Sequence, residues 1–268
     1  PTEVNLFVHD FYTICPSMHL MRNRIIYCGA PPPGSAACGV CVYGEQRIAH
    51  IEKIKTLFST CDVTVVAPSV FALDLWQAKS GLLHKEAVVR PHTTFRATGV
   101  KMAPSAKHLR VAFVGLPIYH KGWDAYVNLA KSFQNDDRYS FYAFSSFARN
   151  SSNIQWRIVT VSADNRDAMS KALSREGIDI VVLWSLCPET FSFTAQEART
   201  AGAFIITTET SGNIAHVVRE CQQGLVLADD AQLMDVFSSG RVIKAFQNKL
   251  RSGIPTGYLE YNLGIHPR

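Results

Sequence analysis

The stretch Cys187-Pro-Glu-Thr-Phe-Ser-Phe-Thr-Ala-Gln-Glu-Ala-Arg-Thr-Ala-Gly202 decides how this chain is read. It follows Ile178 to Trp184, an apolar run that predicts a buried parallel strand. A helix is predicted next, from near Thr194 to Gly202, the glycine being suited to a left-handed cap. Glu189 then falls in the strand-to-helix loop and Glu197 in the first helical turn. Both carboxylates are thereby placed at the carboxyl edge of a sheet, where open α/β folds bind ligands. A plainer reading is a capping box, Thr194-x-x-Glu197, with Glu189 an ordinary exposed loop acid.

On either side of that stretch the pattern alternates. Strand 109–115 leads to a helix over 123–134, with Trp123, Tyr126, Val127 and Ala130 along one side. Strand 139–145, the polar loop ARNSSN and strand 156–161 follow. A helix starting at Asp164 or Asn165 and ending near Gly177 precedes the decisive strand. Such alternation predicts a parallel sheet with helices on both faces. Asp229-Asp230 predicts a helix to Ser239, and Arg241 to Arg251 another.

The front of the chain is less regular. Val4 to His9 predicts a strand with His9-Asp10 at its carboxyl end, and PPPGSAACGVC forbids regular structure. A helical pattern over Arg47–Cys61 puts Ile48, Ile51, Ile54, Leu57 and Phe58 on one face. Strand Asp62–Pro68, a helix capped by Ser69 and strand Glu86–Arg90 complete this part. The Pro-, Thr- and Ser-rich piece 91–106 predicts a linker. The domains so predicted are a partial N-terminal one (1–104), a main α/β one (105–240) and a C-terminal helix and tail (241–268).

An apolar fraction of 47% with 18% charged residues is that of a soluble globular protein. No apolar run reaches the ~18 residues of a spanning helix. The opening Pro-Thr-Glu is no basic, apolar leader, so a cytoplasmic location is expected, extending to the inner face of the membrane. The formal charge of +5 suits an anionic substrate or peripheral contact with an acidic membrane, and no basic cluster is dense enough for nucleic acid.

Four of the seven cysteines, Cys15, Cys28, Cys38 and Cys41, crowd into one irregular stretch. They fit a structural zinc site of thiolates, reduced loop thiols, or disulfides in an oxidising compartment. A dinucleotide-dependent oxidoreductase is excluded, because LPIYHKG after strand 109–115 contains no GxGxxG.

The order of parts resembles the GT-B glycosyltransferases of family four, "glycosyl transferases group 1". There, a strand ends in an E-x7-E loop and helix, followed by Ala-Gly, a short apolar strand and a glycine-containing loop. Here these read PETFSFTAQEARTAG, AFIITT, ETSGNIAHVV and QQGLVL, with RVAFVGLPIYHKGWD upstream as first donor-domain strand, glycine turn and Lys-Gly. The PETFS and HKG wording is closest to transferases within large bacterial polysaccharide-synthesis proteins. The match covers about residues 5 to 228 and implies a GT-B fold: a Rossmann-like donor domain and a partial acceptor domain lacking the family's first strand. The chain is accordingly expected to be the N-terminally truncated part of a longer parent.

The resemblance implies a retaining glycosyltransferase (hexosyltransferase type). Its donor would be a nucleotide-diphosphate sugar, its acceptor a glycan or lipid-linked hydroxyl, and it would need no catalytic metal. Lys121 matches the phosphate-contacting lysine, which with Gly115 and the backbone around Thr190, Phe191 and Ser192 would hold the diphosphate. Glu197 would accept ribose hydroxyls, Glu189 would contact the donor sugar, and the loop Val161-Ser162-Ala163 would pack on the base. A carboxylate suits a vicinal diol because it accepts two hydrogen bonds at once. His9 matches the histidine that approaches the transferred sugar. His9, Glu189 and Lys121 are the expected catalytic residues. One departure is Leu116, where the family often has arginine. With the short front domain, it motivates the alternative of a catalytically weak, glycosyltransferase-like binding or scaffolding module.

Overall fold

The computed structural model describes residues 1–102, 108–149, 151 and 153–262. Its elements, in order, begin with β1 (Thr2–Phe7), β2 (Met21–Arg22), β3 (Ile26–Tyr27), α1 (Ala36–Gly39), α2 (Gly44–Thr60), β4 (Cys61–Ala67), α3 (Val70–Ser80) and β5 (Glu86–Val89). Then come β6 (Thr93–Lys101), β7 (Leu109–Val114), α4 (Trp123–Ser132), β8 (Tyr139–Ser145), β9 (Gln155–Ile158), α5 (Ala168–Glu176) and β10 (Ile180–Leu183). The last are α6 (Phe193–Thr200), β11 (Phe204–Thr208), α7 (Asn213–Cys221), β12 (Gly224–Leu227), α8 (Asp230–Ser238), α9 (Arg241–Arg251) and β13 (Ile254–Tyr261).

The chain forms two compact units. The first takes residues 1–92, 186–191 and Asn262, and the second takes 93–185 and 192–261. In the second, six strands lie in the order β12-β11-β10-β7-β8-β9, and all pair in parallel. Helices on the faces bury a core that includes Val114, Phe144, Val181, Leu183, Ile205 and Ile214. Burying each such side chain contributes roughly 1.5–3 kcal/mol, so strands apolar on both faces hold the sheet. Strand order reverses between β7 and β10, the place where such sheets leave a crevice at their carboxyl ends.

The first unit has a smaller parallel sheet, β1-β4-β5. Trp76, Phe11, Ile14 and Leu20 are fully buried in its core. Ser69 caps α3 as its position predicts, accepting from the Ala72 N–H at 3.0 Å. The apolar face predicted for α2 is only partly used: Phe58 is buried, whereas Ile48 and Leu57 are exposed. Arg47 is buried instead.

Two expectations fail in the connecting segments. Residues 93–101, read as irregular linker, form strand β6, and the tail after α9 forms β13, its antiparallel partner. Pro255 and Gly257 hid β13, since both argue against a strand interior. The two-stranded ribbon tolerates them through an irregularity between Thr256 and Gly257, where a Cβ on Gly257 would lie 1.8 Å from the Arg96 carbonyl oxygen. The rest of the expected linker, 103–106, lies outside the described residues.

The expectation of a four-cysteine zinc site is corrected. Cys15, Cys28, Cys38 and Cys41 do line one small cavity, yet among the described residues no group of three or more His, Cys, Asp or Glu can hold a metal ion. The Arg47 guanidinium is buried among them and donates to Cys38 Sγ at 3.0 Å and to the carbonyls of Pro31 and Ile14. The Cys28 thiol donates to the Leu20 carbonyl, and burial pushes the Cys15 thiol pKa up.

Candidate functional site

In the second unit the site begins at the end of β7. A Cβ built on Gly115 would lie 3.5 Å from the Thr194 methyl, so this turn packs on the start of α6. The chain then passes through a short 3₁₀ turn, Tyr119–Lys121, to Gly122 at φ +79°. Gly122 is required there, because a Cβ would come within 2.0 Å of the Trp184 carbonyl oxygen. Ser185 Oγ donates to the His120 carbonyl at 3.3 Å. Lys121 is thereby fixed, half-buried, beside the carboxyl end of β10.

Helix α6 starts at Phe193, one residue before the expected point. Its cap is Ser192, whose Oγ accepts from the Ala195 N–H at 3.1 Å and lies 3.0 Å from Thr194 Oγ1. The capping-box reading of Thr194 and Glu197 is therefore excluded. Glu197 is 5% exposed, and its carboxyl has no hydrogen-bond or salt-bridge partner among the described residues. Burial alone pushes its pKa up to about 7. A buried carboxyl without partners is costly and demands an explanation.

Several polar atoms near the strand ends are fully enclosed and unmatched. Ser145 Oγ at the end of β8, Gln196 Oε1 in the first turn of α6 and Asn213 Oδ1 at the start of α7 are buried with no partner among the described residues. The loop between β11 and α7 is otherwise well tied: Thr207 Oγ1 donates to Leu183 O at 2.6 Å and Thr210 Oγ1 to Ser185 O at 3.2 Å. The unmatched groups thus sit on a rigid frame.

Ser162 is exposed in a tight loop closed by its bridge to Asn165. Arg166 Nε donates back to Ala163 O at 3.1 Å. The Arg166 carbonyl in turn accepts from the Tyr261 hydroxyl at 3.0 Å. Tyr261 is near enough to Glu197 for the carboxylate to raise the phenol's pKa, after burial itself.

The remaining expected residues belong to the first unit. The E-x7-E pair straddles the two units, since Leu186–Phe191 goes with the first and Ser192 with the second. Thr190 Oγ1 donates to the His9 carbonyl at 2.7 Å, and Ser69 Oγ donates to the Thr190 carbonyl at 2.7 Å. Glu189 is half-buried in this segment. The His9 ring stacks on His92 with centroids 5.5 Å apart, and His92 meets Phe191 edge-on at 5.0 Å. Burial first, and His9 second, push the His92 pKa down. Sequence reading missed His92; its signal was a histidine just past β5, as His9 lies just past β1.

No family model matches the chain, and no curated protein does. Solved structures do. Alpha,alpha-trehalose 6-phosphate synthase from Burkholderia multivorans matches with a TM-score of 0.53 at 11% identity, over 92% of this chain and 60% of its own. Anabaena Alr3699/HepE in complex with UDP-glucose matches at 0.51 and 12%, over 75% and 61%. WaaG, a glycosyltransferase involved in lipopolysaccharide biosynthesis, matches at 0.50 and 14%, over 72% and 58%. The fold is that of the GT-B glycosyltransferases, and the chain spans about three fifths of the length of these structures.

Proposed function

We propose, from a GT-B fold whose donor-type sheet ends in an unpaired carboxylate, that the chain binds a nucleotide-diphosphate sugar. It would transfer the sugar with retention to a glycan or lipid-linked hydroxyl. The observation that carries this is Glu197: buried, without a protein partner among the described residues, in the helix that starts at the carboxyl edge. A ribose diol supplies the two donors such a group lacks. The uncharged first turn of α6 and Lys121 suit the diphosphate, where stabilising the departing charge is often the largest catalytic contribution. The loop around Ser162 is assigned to the base. Glu189 and His9 are assigned to the transferred sugar, with Thr190, Phe191 and Ser192 lending backbone groups to the phosphates. UDP is the first nucleotide to try, because HepE is described with UDP-glucose. Polysaccharide or cell-surface glycan synthesis in the cytoplasm, at the membrane's inner face, is the setting this chemistry fits. No described helix is long and apolar enough to cross a membrane.

One observation favours the second reading, a binding module of weak activity. Leu116 is 48% exposed in the turn after β7, where the resembling family often places an arginine. Two measurements separate the readings. Thermal shifts with UDP, GDP, ADP and dTDP report binding; release of the labelled sugar from a radiolabelled donor by the full-length parent reports turnover. Turnover lost in Glu189→Ala and Lys121→Ala supports the enzyme. Binding without turnover supports the module, and no shift with any of the four nucleotides removes both.

A further inference from the structure

Four free thiols line one small cavity of the first unit, and one of them stands apart. Cys38 lies in α1 and Cys41 three residues on, in the run Cys38-Gly-Val-Cys41. The Cys41 N–H donates to the Cys38 carbonyl at 2.9 Å, which closes a turn. A turn of that kind holds its end Cα atoms within about 7 Å, a span a disulfide can bridge. The turn packs on the start of α2, since a Cβ on Gly44 would lie 2.1 Å from the Cys38 carbonyl oxygen. This packing brings the buried Arg47 to the sulfur, and its guanidinium donates to Cys38 Sγ at 3.0 Å. Its other bonds go to the neutral carbonyls of Pro31 and Ile14, and among the described residues no carboxylate pairs with it. A buried cation without an anion is costly. The group it touches that can carry negative charge is the Cys38 sulfur, and the thiolate is the form that attacks an oxidant. Neighbouring thiols are placed differently: Cys28 donates to the Leu20 carbonyl at 3.1 Å, and Cys15 is buried. Besides Arg47, Cys38 Sγ has a long contact of 3.8 Å to the Pro32 carbonyl.

We infer that Cys38 and Cys41 form a peroxide-reactive dithiol, with Cys38 as the attacking sulfur, Arg47 as its cation and Cys41 as the resolving thiol. The cavity of about 20 Å³ has room for a molecule near the size of water, which suits hydrogen peroxide and keeps out a bulky disulfide. In the first step the S–O bond forms on Cys38 as the O–O bond breaks, and the thiol proton leaves with the departing oxygen as water. In the second, the Cys41 sulfur attacks the sulfenic sulfur, so that S–S forms, S–O breaks and a second water leaves. Two thiols are thereby oxidised to one disulfide while one hydrogen peroxide is reduced to two waters. This chemistry is independent of the nucleotide-sugar reading.

Reduced wild type treated with hydrogen peroxide tests it, the free-thiol fraction of each cysteine being followed by alkylation and peptide mass mapping. A Cys38–Cys41 disulfide is expected, formed about tenfold or more faster than the half-buried Cys61 or Cys221 is oxidised, and reversed by a dithiol reductant. In Cys41→Ser the reaction is expected to stop at the sulfenic acid of Cys38, captured there by dimedone. Arg47→Gln is expected to slow Cys38 oxidation by about tenfold, and Arg47→Lys, which keeps the charge, to restore most of the rate. Loss of all the thiols at similar rates overturns the inference, as does a disulfide joining Cys15 and Cys28 instead. An Arg47→Gln rate equal to wild type overturns it too. Should the Arg47 variants not fold, dimedone capture in Cys41→Ser decides: an adduct on Cys38 supports the assignment, and an adduct elsewhere or none overturns it.

Discussion

Glu197 carries most of the residue-scale argument, and its burial has a consequence for stability. Its folded pKa, about 7, stands above the ordinary 4.5. The folded protein therefore holds this proton more tightly than the unfolded chain. Its neutral form favours folding fully below about pH 4.5, and that contribution is lost as pH rises through 7, by ~1.4 kcal/mol for each pH unit between the two values. Glu197→Gln is expected to flatten this dependence, read as urea midpoints between pH 5 and 8; an unchanged slope would show that the carboxyl is solvated. Gly122→Ala is expected to destabilise by more than about 1 kcal/mol, because an alanine there is both strained and in collision with Trp184. Its check is a fall in the thermal midpoint. Glu197 was legible as a candidate because its type and spacing matched a ligand-binding pattern. Its buried state was not, since Ser192 and Thr194 are both plausible caps and only packing chose Ser192. The cysteines misled for a similar reason: four thiols do reach one cavity, but there Cys38 bonds the buried Arg47 guanidinium and Cys28 the Leu20 carbonyl.

At the scale of elements, the parallel strands were legible because each is an apolar run bounded by turn residues, and helix starts at Ser69 and Asp229 were legible as caps. The ribbon β6–β13 was not. Its strands are mostly half-buried or exposed, so they carry no apolar signature, and Pro255 and Gly257 argue against one of them. Arg96 and Glu260 pair across it at 2.6 Å, a surface contact worth little by itself. Gly257 counts for more. Gly257→Ala is expected to displace the end of β13, exposing the amides of Tyr258 to Tyr261 to faster hydrogen exchange. Protection equal to wild type would mean that the ribbon absorbs the extra carbon. Ser192→Ala removes a helix cap and is expected to cost about 1 kcal/mol, visible as a lower urea midpoint.

For the molecule as a whole, alternation of strand and helix told where the large sheet runs, while the division into units did not follow chain order. Leu186–Phe191 leaves the second unit for the first, anchored by Thr190 on the His9 carbonyl just past β1, a long-range pairing that no local pattern carries. The two carboxylates that look like one motif are therefore held by different units. The claim on which the rest depends is that Glu197 is the ribose-binding carboxylate of a nucleotide site. Titration calorimetry of wild type and Glu197→Gln with UDP near pH 7, in two buffers of different ionisation enthalpy, tests it most directly. Wild type should bind with net proton release, since diol donors favour the carboxylate over the acid, and Glu197→Gln should bind at least about tenfold more weakly without releasing a proton. Equal affinities and equal proton counts in the two proteins would contradict it.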